Sequence, residues 1–197
     1  MRSVIMEEPG KVVVEDRPMP TLLESTDAII KLAASCICGS DLWPYRGAQP
    51  EPVDHQQMGH EYIGEVIEVG DDVKTVKPGD FVVGSFCISC GECATCQDGY
   101  PSRCLKAIAA GDGFIGMRSN GTQAEYARIP FADGTLVKTP AYPTAEQIPH
   151  LMAASDVLGT GWYAADAAKA GPGKTIVVVG DGAVGLGAVI GAKQLGA

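Results

Sequence analysis

Four cysteines in one short run constrain the fold of this chain more than any other feature of its sequence. Cys90, Cys93, Cys96 and Cys104 lie in the segment CGECATCQDGYPSRC, with C-x2-C-x2-C-x7-C spacing. A zinc ion bound by four thiolates needs four sulfurs at about 2.3 Å from one point, and tight turns with a cysteine every third residue supply three of them. The glycines within the run permit such turns. The spacing therefore predicts a structural zinc site.

Other interpretations of these cysteines compete with zinc. Disulfide bonds are disfavoured because the chain has seven cysteines, and because the apolar stretch Met1–Met6 is too short for a secretory leader and is followed by two glutamates. An iron–sulfur cluster would use the run C-x2-C-x2-C-x3-C-P, but here the fourth cysteine comes too late and Leu105 follows it. Unligated thiols are a further alternative. We expect a reducing, cytoplasmic environment.

The register of the cysteine site is also open. Cys87 precedes Cys90 by three residues, so it extends the three-residue ladder toward the N-terminus. It could supply the fourth ligand in place of Cys104. Spacing alone does not choose between these two cysteines.

Composition narrows the class of protein. The chain has 197 residues, of which 46% are hydrophobic and 20% charged, as in a globular protein with a substantial core. No apolar run approaches the length needed to cross a membrane. A formal net charge of −9 argues against nucleic acid or an anionic membrane as a partner.

The sequence changes character near Thr144. Before it, short runs rich in β-branched residues alternate with turn residues, which predicts an all-β, barrel-like domain. After it, Thr144 resembles a helix start and the alanine-rich stretch 156–169 predicts a helix. The predicted strands are Ser3–Ile5, Lys11–Glu15, Ala28–Leu32, Tyr62–Val69 and Asp80–Phe86. We expect two parts, residues 1–154 and 155–197.

A glycine-rich turn lies near the end of the chain. The apolar run Thr175–Val179 reads as a buried parallel strand and leads directly into GDGAVG, which fits G-x-G-x-x-G between a strand and a helix. In such a turn Gly180 bends the chain, Gly182 lets the backbone approach a pyrophosphate, and Gly185 lets the helix pack on the strand. The helix N-terminus, at Ala183 and Val184, then faces the phosphates. A glycine-rich turn between a strand and a helix that binds no nucleotide could have the same sequence.

The nucleotide-binding interpretation predicts more sheet than the chain contains. An acidic residue that holds the ribose is expected roughly 20 residues after the glycines, whereas 12 residues follow Gly185. A buried parallel strand also needs neighbouring strands. We therefore expect this chain to be the N-terminal portion of a longer enzyme, with little NAD affinity of its own.

Three scattered residues suggest a second metal site. Cys38 lies in CGSD, His60 in MGHEYIGEV and Asp156 in ASDVLGTGW. Each alone has an ordinary explanation, namely a small buried thiol, a hydrogen-bonded histidine and a helix cap. Along the chain, these three residues, the cysteine run and the glycine turn follow one another in an order that resembles that of the zinc-dependent medium-chain alcohol dehydrogenases. The resemblance covers essentially the whole chain.

The resemblance implies a fold, cofactors and residue roles. It implies an α/β two-domain protein, in which a GroES-like β-barrel catalytic domain is followed by the first βα unit of a Rossmann domain, with two zinc ions per intact subunit and NAD or NADP. Cys38, His60 and Asp156 would bind the catalytic zinc, and Cys90, Cys93, Cys96 and Cys104 the structural one. The remaining roles would be proton transfer by Ser40, orientation of His60 by Asp41, transient ligation by Glu61, and contact with the nicotinamide by Thr160.

The implied activity is hydride transfer between a small-molecule alcohol and NAD(P), forming an aldehyde or ketone, in an intact enzyme that is a homo-oligomer. Trp43 departs from the family pattern, since some members have a histidine there that continues the proton relay. His55 could substitute only if its loop folds over the site. The alternatives are a non-catalytic zinc module that binds a partner, and an electron-transfer iron–sulfur domain.

Overall fold

A computed structural model describes residues 1–48, 54–116 and 121–197. The N-terminal strands β1 (Arg2–Glu8) and β2 (Lys11–Asp16) form the predicted antiparallel hairpin, with Ile5 opposite Val13. Gly10 adopts a left-handed φ of 83° in its turn, a conformation that glycine adopts at little cost. The short strand β4 (Gln56–Gln57) pairs with β1 on the other side and completes a three-stranded sheet.

A second sheet of five antiparallel strands forms the body of the molecule. The strands are β3 (Ala28–Ser35), β5 (Tyr62–Val69), β6 (Phe81–Gly84), β7 (Tyr126–Ile129) and β8 (Leu136–Lys138). Their order in the sheet is β7-β3-β5-β6-β8. Isoleucine, valine and tyrosine from these strands make the buried core, because β-branched and aromatic side chains pack well on a pleated surface. The predicted strand-rich character of this part of the chain is confirmed, although short helices lie between its strands.

Tyr62 shows how tightly this core is packed. Its side chain is fully buried, and its ring lies over the opposite residue, Gly84. A Cβ atom at Gly84 would come within 1.9 Å of the ring of Tyr62. The tyrosine hydroxyl donates a hydrogen bond of 3.2 Å to the carbonyl of Ser85. Strand β5, which directly follows His60 and Glu61, is thus fixed against β6.

The described strands do not form a barrel closed by continuous strand pairing. They form two separate sheets, and between β1 and the segment before β7 there is one isolated bridge, Ser3 to Ala124. Irregular backbone hydrogen bonds join the sheets there, including Val4 N–H to Gln123 O at 2.8 Å and Glu125 N–H to Arg2 O at 3.1 Å. The segment before β7 is too irregular to extend the ladder.

Short helices occupy the connections. They are α1 (Leu42–Tyr45), α2 (Ala94–Gln97), α3 (Leu105–Ala109), α4 (Ala132–Thr135) and α5 (Gln147–Met152), with 3-10 turns at Gly39–Asp41 and Pro101–Arg103. The helix predicted to start at Thr144 begins at Gln147. Thr144 instead lies in the preceding turn, where its N–H donates to the side chain of Gln147 at 2.9 Å.

Two longer helices, α6 (Val157–Ala167) and α7 (Ala183–Gln194), pack closely against each other. Gly161 makes this possible, since a Cβ atom there would lie 2.4 Å from the backbone nitrogen of Ala188. The strand predicted at 175–179 is not a strand in this structure, because no described segment pairs with it, and Val177 and Val179 are 82% and 97% exposed. No helix in the described ranges has both the length and the apolarity that a bilayer crossing requires.

Candidate metal centres

The four-cysteine run forms a compact group of sulfurs. Cys90, Cys93, Cys96 and Cys104 each offer a sulfur, and all four sulfurs lie within 4.8 Å of one another. The Cys93 sulfur lies 3.4 Å from that of Cys96 and 3.9 Å from that of Cys104. Ligands at about 2.3 Å from a tetrahedral ion are roughly 3.8 Å apart. The donor set and its spacing therefore fit zinc.

Local structure brings the sulfurs together. Cys93 precedes helix α2 and Cys104 precedes helix α3, so two short helices begin at the site. Backbone N–H groups point at the sulfurs, from Cys90 to Cys104 Sγ at 3.3 Å and from Cys93 to Cys90 Sγ at 3.3 Å. Hydrogen bonds from Thr95 and the backbone of Cys96 lower the pKa of Cys93 to about 5. These contacts favour the thiolate form of Cys93, the form that binds metal, whereas burial raises the pKa of Cys90 and Cys96.

The structure resolves the register of this group. Cys104 belongs to it, whereas Cys87 lies outside it, buried beside Phe114 in an isolated β-bridge. Burial raises the pKa of Cys87 to about 11, so this thiol stays protonated at neutral pH. All seven cysteines are free of disulfide bonds. The alternative register through Cys87 is therefore not the one the fold adopts.

A second group of donor atoms joins three distant parts of the chain. Cys38, His60, Glu61 and Asp156 each offer one ligand atom within 4.8 Å of the others. Asp156 Oδ2 lies 3.9 Å from Cys38 Sγ and 3.6 Å from His60 Nε2. These separations suit ligands of one tetrahedral ion. The structure thus brings together the trio predicted from the sequence, and Glu61 with it.

The elements that carry these side chains explain their direction. Cys38 follows β3 and opens the 3-10 turn Gly39–Asp41, and His60 and Glu61 directly precede β5. Asp156 precedes α6, but its carboxylate makes no helix-capping hydrogen bond. Instead, Asp156 Oδ1 accepts a hydrogen bond of 2.7 Å from the hydroxyl of Thr160. Its other oxygen, Oδ2, remains available to the group formed with Cys38 and His60.

Asp41 and Ser40 contact the two ring nitrogens of His60. Asp41 Oδ1 lies 3.3 Å from His60 Nδ1, and Ser40 Oγ lies 3.3 Å from His60 Nε2. A carboxylate on Nδ1 fixes the tautomer that keeps Nε2 available as a ligand. Asp41 therefore lies where it could orient His60, and Ser40 lies beside the candidate ligands.

The electrostatics of this group favour a cation. Burial alone lowers the pKa of His60, but hydrogen bonds to Asp156 and Asp41 dominate and raise it to about 11. The same contact with His60 helps to hold the pKa of Asp156 below its usual value, despite burial. Glu61 is buried, which raises its pKa, and its Oε1 has no hydrogen-bond partner. A divalent cation would satisfy this buried oxygen together with the neighbouring sulfur, imidazole nitrogen and carboxylate oxygen of the group.

Cys38, His60 and Asp156 of this second group line a cavity of about 490 Å³. Apolar side chains shape much of it, including Met58 and Phe86, and Phe86 stacks on Phe114 with ring centroids 5.8 Å apart. Trp43 also lines the cavity and is 63% exposed. Among the described residues that line it, none is a lysine or an arginine.

The glycine turn reaches the same cavity. Val184, in the first turn of α7, lines it together with Thr160 of α6. Gly180 has a left-handed φ of 116°, and a Cβ atom at Gly185 would lie 2.1 Å from the carbonyl oxygen of Gly180. The turn thus has the tight bend and close approach predicted for Gly180 and Gly185. No atom lies within 4 Å of a Cβ built at Gly182, so the backbone there is open to a ligand.

A third group, Glu7, Glu15 and His55, lies on the N-terminal hairpin. His55 Nε2 is 2.9 Å from Glu15 Oε2, while Lys11 forms an ion pair with Glu7 and Arg17 lies 3.8 Å from Glu15. Cations of the chain itself already balance these carboxylates, so we assign no metal to them. His55 does not line the cavity, and the idea that it continues a proton relay there is not supported.

Sequence reasoning missed two features of the site. The aromatic pair Phe86 and Phe114 was not expected at the cavity, although Phe86, two residues after the end of β6, lies close enough to a strand of the main sheet to be a usable signal. Gln123 was also missed, and its amide reaches Asp41. No local pattern marks Gln123, because its contacts come from a segment far away in the sequence.

Comparison with known proteins supports this picture. The profile of the alcohol dehydrogenase GroES-like domain matches residues 24–141. Zinc-type alcohol dehydrogenase B of Aspergillus flavus is 42% identical, over 98% of this chain and 45% of its own length. A glutathione-independent formaldehyde dehydrogenase of Pseudomonas aeruginosa is 39% identical, over 100% of this chain and 52% of its own. The chain spans about half the length of these relatives.

Solved structures are similar along the whole chain. Alcohol dehydrogenase TADH from Thermus sp. ATN1 superposes with a TM-score of 0.87 at 34% identity, covering 100% of this chain and 56% of the other. A cobalt- and zinc-bound thermostable alcohol dehydrogenase from Pyrobaculum aerophilum gives a TM-score of 0.80 at 30% identity, with 100% and 56% covered. The likeness includes the helices after residue 141 as well as the sheets before it.

Proposed function

This chain belongs to the alcohol dehydrogenase GroES-like domain family, and from that premise we propose that it is the catalytic part of a zinc-dependent oxidoreductase. The reaction is hydride transfer between an alcohol and NAD or NADP, with an aldehyde or ketone as the other product. The observation that carries the proposal is the meeting of Cys38, His60 and Asp156 at a cavity that Thr160 and Val184 also line. The candidate metal ligands and helix α7, which follows the glycine turn, thus border the same cavity.

The proposal includes a division of the chain. Residues 1–154 form the GroES-like zinc-binding catalytic domain, and residues 155–197 form the linking helix and the first βα unit of an NAD(P)-binding Rossmann domain. The close packing of α6 on α7 supports grouping these helices together. The exposed Val177 and Val179 support a sheet that continues with further strands, since a parallel strand is normally buried on both faces.

The two metal groups have different roles in this proposal. Cys90, Cys93, Cys96 and Cys104 hold a structural zinc, because four protein ligands leave no open position. Cys38, His60 and Asp156 hold the catalytic zinc, with Glu61 close enough to join them. Zinc bound there would act as a Lewis acid toward the substrate oxygen.

The surrounding residues of the chain bind, orient and move protons. Ser40 Oγ, beside His60 Nε2, can accept the proton of a substrate hydroxyl in the cavity while its own hydroxyl proton passes to solvent, since Ser40 is exposed. Asp41 holds the imidazole of His60 in one orientation. Thr160 fixes the carboxylate of Asp156 and borders the space for the nicotinamide. The backbone at Gly180–Gly185, with Ala183 and Val184, receives the pyrophosphate at the N-terminus of α7.

The substrate proposed is a small alcohol or carbonyl compound without charge. The cavity near the second metal group is mostly apolar, and none of its described lining residues could pair with a phosphate or carboxylate as lysine or arginine would. The intact enzyme is proposed to be a homo-oligomer. The choice between NAD and NADP depends on residues that contact the adenosine ribose.

The proposal is tested on a full-length protein that contains this sequence. We expect two zinc ions per subunit and NAD(P)-dependent oxidation of simple alcohols. His60→Ala should lose one zinc and almost all turnover. His150→Ala, which changes an exposed histidine on α5, should keep both. One zinc in the wild-type protein and no oxidation of any alcohol would instead indicate a non-catalytic zinc module.

A further inference from the structure

Gln123 contacts the segments that carry all but one of the residues at the second metal group, although it ligates nothing itself. We propose that Gln123 is a positioning residue, which holds Asp41 and through it Cys38 and His60 in the geometry that binds metal. This inference rests on the proposed function of that group as a catalytic metal site. It assigns a role to a residue in the irregular segment before β7.

The side-chain amide of Gln123 reaches two acceptors. Its Nε2 donates a hydrogen bond of 3.1 Å to the carbonyl of Cys36 and lies 3.5 Å from Asp41 Oδ2, at the long end of hydrogen-bond distances. A glutamine amide has two N–H bonds, so it can serve both acceptors at once. Gln123 thereby connects the end of β3 to the turn that follows it.

Asp41, which Gln123 contacts, in turn contacts two candidate ligands. Its Oδ2 accepts from the backbone N–H of Cys38 at 2.8 Å, while its Oδ1 lies 3.3 Å from His60 Nδ1. The carboxylate is buried, with 8% of the residue exposed, so solvent contributes little to its orientation. If the carboxylate rotated, the imidazole of His60 and the turn at Cys38 would both lose a partner.

The segment before His60 also rests on Gln123. Gly59 has a left-handed φ of 96°, and a Cβ atom there would lie 2.6 Å from the backbone nitrogen of Gln123 and 2.7 Å from its Cγ. Met58 accepts a hydrogen bond of 2.9 Å from the Gln123 N–H, and the Gln123 carbonyl accepts one of 2.8 Å from Val4. The backbone of Gln123 is therefore held on both sides, which makes it a rigid support for its side chain.

A purely structural role for Gln123 makes a different prediction from a positioning role. In the structural case, replacement would lower stability and leave the metal site intact in the folded protein. In the positioning case, the folded variant would bind metal more weakly at the second group while the four-cysteine group is unchanged. Loss of a residue that orients a ligand typically costs about 10- to 100-fold in metal affinity.

The experiment uses the full-length protein with Gln123→Met, which keeps the length of the side chain and removes its donors. Gln57→Met is the matched control, because Gln57 Nε2 donates a comparable hydrogen bond of 3.0 Å to the carbonyl of Gly121 but does not touch Asp41. Each variant is loaded with Co²⁺ at the second group. The visible spectrum and the affinity for Co²⁺ in competition with a chelator are then measured.

We expect Gln123→Met to bind Co²⁺ about 10- to 100-fold more weakly with an altered spectrum, and Gln57→Met to stay within about twofold of wild type. Unchanged affinity and spectrum in Gln123→Met would overturn the inference while leaving the proposed function intact. A wild-type protein that binds no metal at Cys38, His60 and Asp156 would overturn both. If Gln123→Met does not fold, Gln123→Asn decides by the same criteria, since its shorter amide cannot reach both acceptors.

Discussion

The hydroxyl of Ser155 accepts a hydrogen bond of 2.9 Å from the backbone N–H of Tyr62. It also donates one of 2.7 Å to the carbonyl of Gly84, the residue opposite Tyr62 in the sheet. Ser155 is buried, and it is the residue before Asp156. This contact therefore ties the segment that carries Asp156 to the start of β5, two residues after His60.

Ser155→Ala should lower both stability and metal binding. It leaves a buried N–H and a buried carbonyl without this partner, which costs about 1–3 kcal/mol each when nothing replaces it. Chemical denaturation measures the free energy of unfolding, and metal analysis measures zinc per chain. Ser102→Ala, at an exposed position, serves as the control. Equal stability of the Ser155 variant and the control would contradict the importance of this contact.

Gly84→Ala should destabilise the five-stranded sheet. The added methyl group would lie 1.9 Å from the ring of Tyr62, which is fully buried and cannot move aside. Overpacking of this kind typically costs about 1–3 kcal/mol and sometimes more. Gly159→Ala is the matched control, because nothing lies within 4 Å of its added Cβ and alanine favours the helix α6. Thermal unfolding should separate the two variants, and a similar melting temperature for both would count against this packing.

Cysteine substitutions should distinguish the two registers of the four-cysteine site. Cys104→Ser removes one of the four grouped sulfurs, so we expect one zinc fewer per chain and lower stability. Cys87→Ser changes a buried thiol outside the group and should keep the zinc content of the wild type. Metal analysis of the purified variants measures the difference. Loss of zinc in the Cys87 variant alone would show that the register is the other one.

Ser40→Ala should slow turnover in the full-length enzyme. The hydroxyl of Ser40 lies beside His60 at the cavity, and general acid–base groups typically contribute about 10²-fold or more to the rate. Ser40→Thr keeps a hydroxyl and should retain much of the activity. His55→Ala should leave kcat unchanged, because His55 pairs with Glu15 away from the cavity. A larger loss for His55→Ala than for Ser40→Ala would reverse these roles.

Residues 1–197 alone should bind NAD weakly. The segment 175–179 has no pairing strand within the described chain, and Val177 and Val179 face solvent. A glycine turn on an unpaired segment is a poorly organised site for a pyrophosphate. Calorimetric titration of NAD into this chain and into the full-length protein measures the difference. Micromolar affinity of the shorter chain would contradict this expectation.

The sequence by itself determined the local structure and the types of chemistry available. Strand Tyr62–Val69 has the predicted bounds, and the helix after the glycine turn forms at Ala183–Gln194. Apolar periodicity and turn residues act over a few neighbours, so they can be read from the chain directly. The cysteine spacing likewise predicted a compact group of sulfurs, because three of its members are three residues apart.

Tertiary structure decided how closely distant residues meet, including the trio that the family resemblance had already pointed to. Cys104 rather than Cys87 completes the four-cysteine group, and Cys38 and Asp156 come within 3.9 Å across 118 positions of sequence. The run 175–179 is an unpaired extended segment because a strand exists only with a partner. Gln123 could not be identified from the sequence for the same reason. Long-range contacts depend on how whole elements pack, and no local pattern in the chain encodes that packing.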